Sequence, residues 1–119
     1  MPEKAKEVLE RAFSLDTTDA RIFLELDQLY KKLGYSVEKR LEFYESYPDT
    51  FVKRDDVFIE YITMQNFIGK HEKAYELLMG RKFHPWEGGE GKATTQYTVS
   101  LIEQAKKALK ENAYADAKR

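Results

Sequence analysis

The stretch that decides the fold is ARIFLELDQLYKKLG, residues 20–34. Ile22, Phe23, Leu26, Leu29, Tyr30 and Leu33 recur at the three- and four-residue spacing of one helix face, with Leu24 off it. Ahead of it, Asp16-Thr17-Thr18-Asp19 offers side-chain oxygens to the unpaired N–H groups of a helix start. Behind it, Gly34 takes a left-handed conformation at low cost and so ends the helix. The next stop of the same kind is Gly69, 35 residues on, closing DDVFIEYITMQNFIG, residues 55–69. With the two glycines aligned, Phe23 falls opposite Phe58, Leu26 opposite Tyr61, Tyr30 opposite Gln65 and Leu33 opposite Ile68. A fixed period of this length is the mark of a helical repeat.

The rest of the chain fits around these two segments. Residues 3–15 carry Ala5, Val8, Leu9, Ala12 and Phe13 as a helical stripe. Ser36 caps a helix over about 37–47 that buries Val37, Leu41 and Tyr44 before Pro48 stops it. A helix from Phe51 or Asp56 to Ile68 is followed by one over about 71–79 with Ala74, Leu77 and Leu78 inside. A sixth, about 94–111, turns Tyr97, Leu101, Ala105, Ala108 and Leu109 inward. Asn112 breaks it, and Tyr114 to Arg119 begins a seventh. No run alternates apolar and polar residues long enough for a strand. The expected fold is all-α: about six helices plus an incomplete seventh, in antiparallel pairs stacked as an α-solenoid.

The totals bound the function. At 119 residues, 42% of them hydrophobic, the chain is one domain able to bury a core. With 20 basic and 21 acidic residues it has no field to gather nucleic acid or an anionic membrane, so neither is an expected partner. The absence of cysteine removes thiolate metal sites, disulfides and a cysteine nucleophile. Charges interrupt every apolar run, and the N-terminus lacks a signal-peptide core, which points to the cytoplasm.

Residues 81–92, RKFHPWEGGEGK, do not read as helix. Gly91-Lys92 ends a phosphate-binding loop motif, but Trp86 stands where its first glycine belongs and Ala93 where its hydroxyl belongs. A dinucleotide fingerprint on Gly89 and Gly91 meets Thr94 in place of its third glycine. His84, Glu87 and Glu90 share no common face on a loop broken by Pro85 and three glycines, so no metal is expected. No catalytic constellation is found, and no cofactor is expected. Two roles stay open for the loop. Phe83 and Trp86 pack back on the helices, or His84, Trp86, Glu87 and Glu90 form a contact surface, with the Trp giving large area at low entropy cost.

The paired helices, the period and the placement of Phe23, Leu26, Tyr30, Gly34 and Tyr44, then Phe58, Gly69, Ala74 and Leu78, resemble the tetratricopeptide repeat. Departures stand at the small eighth position, held by Asp27 and Ile62, and at Gln65 and Gln104. The resemblance implies partial units at about 1–18 and 94–119, full units at 19–54 and 55–80, and an inserted loop at 81–93. It also implies a concave groove lined by Arg21, Leu24, Gln28, Lys31 and Lys32 from one unit and Asp56, Ile59, Thr63, Asn66 and Phe67 from the next. Residues 83–92 are further similar to a segment in the repeat-bearing C-terminal region of large bacterial proteins. The N-terminal part of those proteins is a β-sandwich of unknown function resembling sugar-processing domains.

These resemblances imply a non-enzymatic scaffold or protein-interaction module within a larger bacterial protein. Its partner is a peptide, a protein or another domain of its parent. The alternative is an accessory domain of a carbohydrate-active enzyme whose 83–92 loop reaches a sugar or the catalytic domain. The chain is expected to be an excised part of a longer array, with uncapped ends that favour a homodimer.

Overall fold

A computed structural model describes residues 2–83 and 91–117, with side chains described over 3–83 and 91–112. Among these residues every regular element is a helix: α1 Pro2–Leu15, α2 Ala20–Lys32, α3 Val37–Ser46, α4 Pro48–Phe51, α5 Asp55–Phe67, α6 His71–Met79 and α7 Lys92–Ala117. The all-α expectation holds. The chain divides into two compact units, Met1–Tyr61 and Ile62–Arg119. Residues 55–61 of α5 belong to the first and 62–67 to the second.

The first unit is ordered by its caps. The Asp19 carboxylate accepts from the backbone N–H groups of Arg21 (2.9 Å) and Ile22 (3.1 Å), so α2 starts where an anchored acceptor meets its free donors. At its other end Gly34 has φ +82°. The Gly34 N–H donates to Lys31 O (3.1 Å) and the Tyr35 N–H to Tyr30 O (3.1 Å). That pair of bonds is a Schellman closure, which needs a left-handed residue at the glycine. The same closure ends α5: Gly69 has φ +89°, and Gly69 and Lys70 donate to Asn66 O (3.1 Å) and Gln65 O (2.8 Å). The glycine correspondence read from the sequence is therefore a repeated piece of geometry.

Ser36 caps α3 by accepting from Lys39 N–H (3.2 Å). Pro48 does more than stop α3. It occupies the first turn of the short α4, where its missing N–H and fixed φ cost nothing. Thr50 of α4 then donates its hydroxyl to Thr17 O (2.6 Å), and Lys53 just beyond donates to Thr18 O (2.7 Å), fastening this turn to the α1–α2 connection.

The core of the first unit is aromatic. Phe23 stacks on Phe43 with centroids 4.3 Å apart, and Phe13 meets Phe23, Phe43 and Tyr47 edge-on. Tyr44 and Phe51 continue the cluster to Tyr61. Each such pair adds about 0.5–1.5 kcal/mol beyond area burial. The α1 stripe turns in by only half its width. Phe13 is buried and Leu9 and Ala12 are half-buried, whereas Ala5 and Val8 face solvent, Val8 at 59% exposure.

In the second unit α7 runs back along α6, Tyr97 meeting Tyr75 (5.6 Å) and Gln104 reaching His71 O (3.5 Å). Two expectations are corrected here. First, α7 does not break at Asn112. It continues to Ala117, because an interior Asn costs only a fraction of a kcal/mol and alanines at 113, 115 and 117 flank it without glycine or proline. The expected sixth helix and incomplete seventh are thus one helix. Second, the residues expected inside α7 are outside. Leu101, Ala105, Ala108 and Leu109 are exposed, as is Tyr97, while Ser100 is fully buried.

Candidate functional site

The residues expected to line a groove do not share one environment. Arg21, Gln28, Lys31, Lys32 and Phe67 are exposed; Leu24, Asp56 and Thr63 are half-buried; Ile59 and Asn66 are withdrawn from solvent. Several are engaged locally. Arg21 faces Glu25 at 3.9 Å on its own helix. Asp56 takes both ends of the Arg54 fork (3.0 and 2.9 Å), and that hydrogen bond, against the effect of burial, holds the Asp56 carboxyl below its ordinary range. His84, Trp86, Glu87 and Glu90 lie outside the described residues.

Two polar clusters stand where the sequence reading did not put them. In the first unit Asp27 of α2 accepts from Arg40 of α3 through both Nε (2.9 Å) and Nη2 (2.8 Å), and from the Tyr44 hydroxyl (2.6 Å). The same Nη2 reaches Glu60 of α5 at 2.9 Å, and Lys31 approaches that carboxylate at 3.4 Å. Asp27 and Arg40 are both buried. Burial would weaken the Arg40 guanidinium's hold on its proton; the bonds to Asp27 and Glu60 more than reverse this. Burial pushes the Tyr44 phenol far above its usual range, and the Asp27 carboxylate pushes it further. For Glu60, burial is outweighed by the Arg40 bond and the Lys31 charge, so its carboxyl sits below the ordinary value. Asp27 was legible as a departure from the small eighth position; its partner Arg40 was not.

In the second unit Asn66 is saturated. Its Nδ2 donates to Gln96 O (3.2 Å) and Oε1 (3.0 Å), which fixes the amide orientation because the backbone oxygen can only accept. Its Oδ1 accepts from the Ser100 hydroxyl (3.0 Å) and lies 2.9 Å from His71 Nδ1. His71 therefore carries its proton on Nδ1. Gln96, Ser100 and Gln104, four residues apart, are the inward face of α7. The signal was present as a polar stripe but reads equally well as a solvated face.

At 100° per residue, Leu101, Ile102, Ala105, Ala108 and Leu109 fall within an arc of about 120° on the other side of α7. All five are exposed. The helix is amphipathic with its polar side in and its apolar side out. Below its distal half, an open groove of about 900 Å³ lies against α6, lined among others by Lys70, His71, Lys73, Glu76 and Lys107.

No family model matches the chain. No solved structure matches it.

Proposed function

We propose that this chain is a non-enzymatic helical-repeat interaction module, of the tetratricopeptide kind, that works as a scaffold inside a larger bacterial protein of the cytoplasm. In this reading its helix pairs stack as an α-solenoid, and its partner is a polypeptide. The observation that carries the reading is the outward apolar face of α7. Five apolar side chains in one stripe are unusual on a soluble surface, and contiguous patches of this kind mark docking sites. The matching closures at Gly34 and Gly69 support the repeat reading. Among the described residues no helix is long and apolar enough to cross a membrane.

A photocrosslinking residue at position 109, on the face, and another at 45, on the exposed side of α3, test this reading. Position 109 should yield a discrete polypeptide adduct, identified by mass spectrometry, in cells producing the full-length parent. Position 45 should not. Equal labelling from both, or none from 109, would sink the docking role of α7.

A further inference from the structure

The α7 face has a counterpart on the chain itself. On α1, Ala5, Val8, Ala12 and Leu15 are spaced three, four and three apart, so they form one stripe. That stripe points away from Phe13 and the aromatic core. Val8 is 59% and Leu15 83% exposed, Ala5 is exposed and Ala12 half-buried. It alternates small and large residues. The α7 stripe does the same, with Ala105 between Leu101 and Leu109. Two helices patterned in this way interdigitate at close range.

We infer that the occupant of the α7 face is α1 of a second copy of this chain, laid antiparallel against it. The inference rests on reading α7 as a docking face and names its partner. Charge sets the direction. Lys4 and Arg11 flank the α1 stripe on one side, with Glu7 beyond them; Leu9 lines its other side, and Lys6 beyond it is turned to Glu10 and the Tyr35 ring. On α7, Gln104 and Glu111 flank one side and Lys106 and Lys110 the other. In an antiparallel pair, corresponding sides meet, so Lys4 comes to Glu111 and Arg11 to Gln104, while Lys106 meets the Leu9 edge. A parallel pair would set Lys4 and Arg11 against Lys106 and Lys110. Pairing α7 with α7 of another copy would leave Val8 and Leu15 in water, whereas one contact of α1 with α7 covers both faces.

The contact joins different surfaces on the two copies. It is therefore heterologous, and unless a ring closes it adds copies in an open row. Each copy in the row offers one α1 stripe and one α7 face.

The test uses two variants that block one face each. Val8→Glu with Leu15→Glu blocks α1, and Leu101→Glu with Leu109→Glu blocks α7. All four side chains are exposed, and circular dichroism checks that the fold is kept. By sedimentation velocity the wild-type chain should form species larger than a dimer, with mean mass rising across the micromolar to near-millimolar range. Each variant alone should stay monomeric. Mixed in equal amounts, they should form one-to-one dimers and go no further, because the one face left open on each is then used. As a second check, Glu111→Lys should weaken wild-type association about tenfold, and Lys4→Glu in the same chain should restore it. A wild type that remains monomeric throughout would overturn the inference. So would an α1-blocked variant that still dimerises, which would point to α7 pairing with itself, or a mixture that stays monomeric. A crosslink from position 109 to a different polypeptide, with the chain itself monomeric, would keep the docking reading and remove this one.

Discussion

Replacing Asp27 by alanine should be among the most damaging single changes available in the first unit. The carboxylate accepts three hydrogen bonds, two from Arg40 and one from Tyr44, at 2.9, 2.8 and 2.6 Å. The side chains of Asp27 and Arg40 are 3% and 5% exposed, so water cannot replace what is lost. Removing one member of a buried ion pair costs about 3–5 kcal/mol, mostly because the other charge is stranded. Here Arg40 keeps Glu60, whose side chain is 27% exposed and partly screened. That places the expected loss near the lower end, about 3 kcal/mol. A domain of this size has only about 5–15 kcal/mol to lose.

Urea unfolding followed by far-ultraviolet circular dichroism would measure this. With a slope of about 2 kcal/mol per molar, the midpoint should fall by about 1.5 M. Arg40→Met should cost a similar amount, since it strands Asp27 with only the Tyr44 hydroxyl. The double variant Asp27→Ala with Arg40→Met should cost far less than the two losses added, with about 2–3 kcal/mol of coupling. Strict additivity would show that the pair is not the unit described here, and a loss below about 1 kcal/mol for Asp27→Ala would refute the reasoning outright. The pair joins α2 to α3, and Glu60 joins α5 to both. We expect its main return to be specificity of helix register rather than net stability.

Four further perturbations follow from the buried polar groups of the two units. Asn66→Ala should destabilise by about 1–3 kcal/mol, because it leaves the buried Ser100 hydroxyl without its acceptor, and the loss should register in the same urea assay. Gln65→Leu should stabilise by about 1 kcal/mol, because Gln65 Oε1 is buried without a hydrogen-bond partner among the described residues and a similar apolar side chain removes that penalty. Stability should fall in acid: Glu60 and Asp56 are held below their ordinary values of 4.5 and 3.8, so their contribution is complete above those values and is lost as pH drops through the lower folded ones. Melting temperature measured against pH should show this, with a shallower acid limb in Glu60→Gln. At the other limit, the Tyr44 phenol is raised above its ordinary 10.0, so the stability it contributes is complete below that value and is lost as pH climbs past it. Absorbance at the tyrosinate band should therefore rise together with unfolding.

What could be read from the sequence was what only a few residue types can do. Left-handed closures at Gly34 and Gly69 favour a residue without a Cβ, and the caps at Asp19 and Ser36 need a short side-chain acceptor. These set the helix ends and the repeat spacing. The faces were harder. Hydrophobic period gives the direction of amphipathicity along α7 but presumes that the apolar side is inside. That presumption fails once Asn66 and His71 wait within the unit and Gln96, Ser100 and Gln104 come to meet them. The ionic cluster escaped for the same reason. Arg40 reads as surface on α3 until the carboxylate across from it is known, and its partners are 13 and 20 residues away. Asn112 sits where a breaker would stand in the repeat, but its flanking alanines carry the helix through it.

The distal half of α7 makes the sharpest case that this surface is built to be covered. From Ala105 to Asn112 every described side chain is exposed. Among the described residues, the last hydrogen bond tying α7 to another element is that of Gln104. Residues 105–112 rise about 12 Å beyond that point at about 1.5 Å per residue. A free helical segment of this length is marginal in water even with many alanines and lysines, so propensity alone leaves it fraying. Packing against an α1 stripe would supply the missing stabilisation. Backbone amides over 105–112 should then exchange quickly in dilute protein and slow by about tenfold or more as concentration rises. The gain should vanish in Val8→Glu with Leu15→Glu, although neither residue lies on α7. Amides of α2, held by the aromatic core, should be indifferent to concentration. Protection over 105–112 that is already high in dilute monomer would show that α7 needs no partner, and its outward face would then carry no docking role.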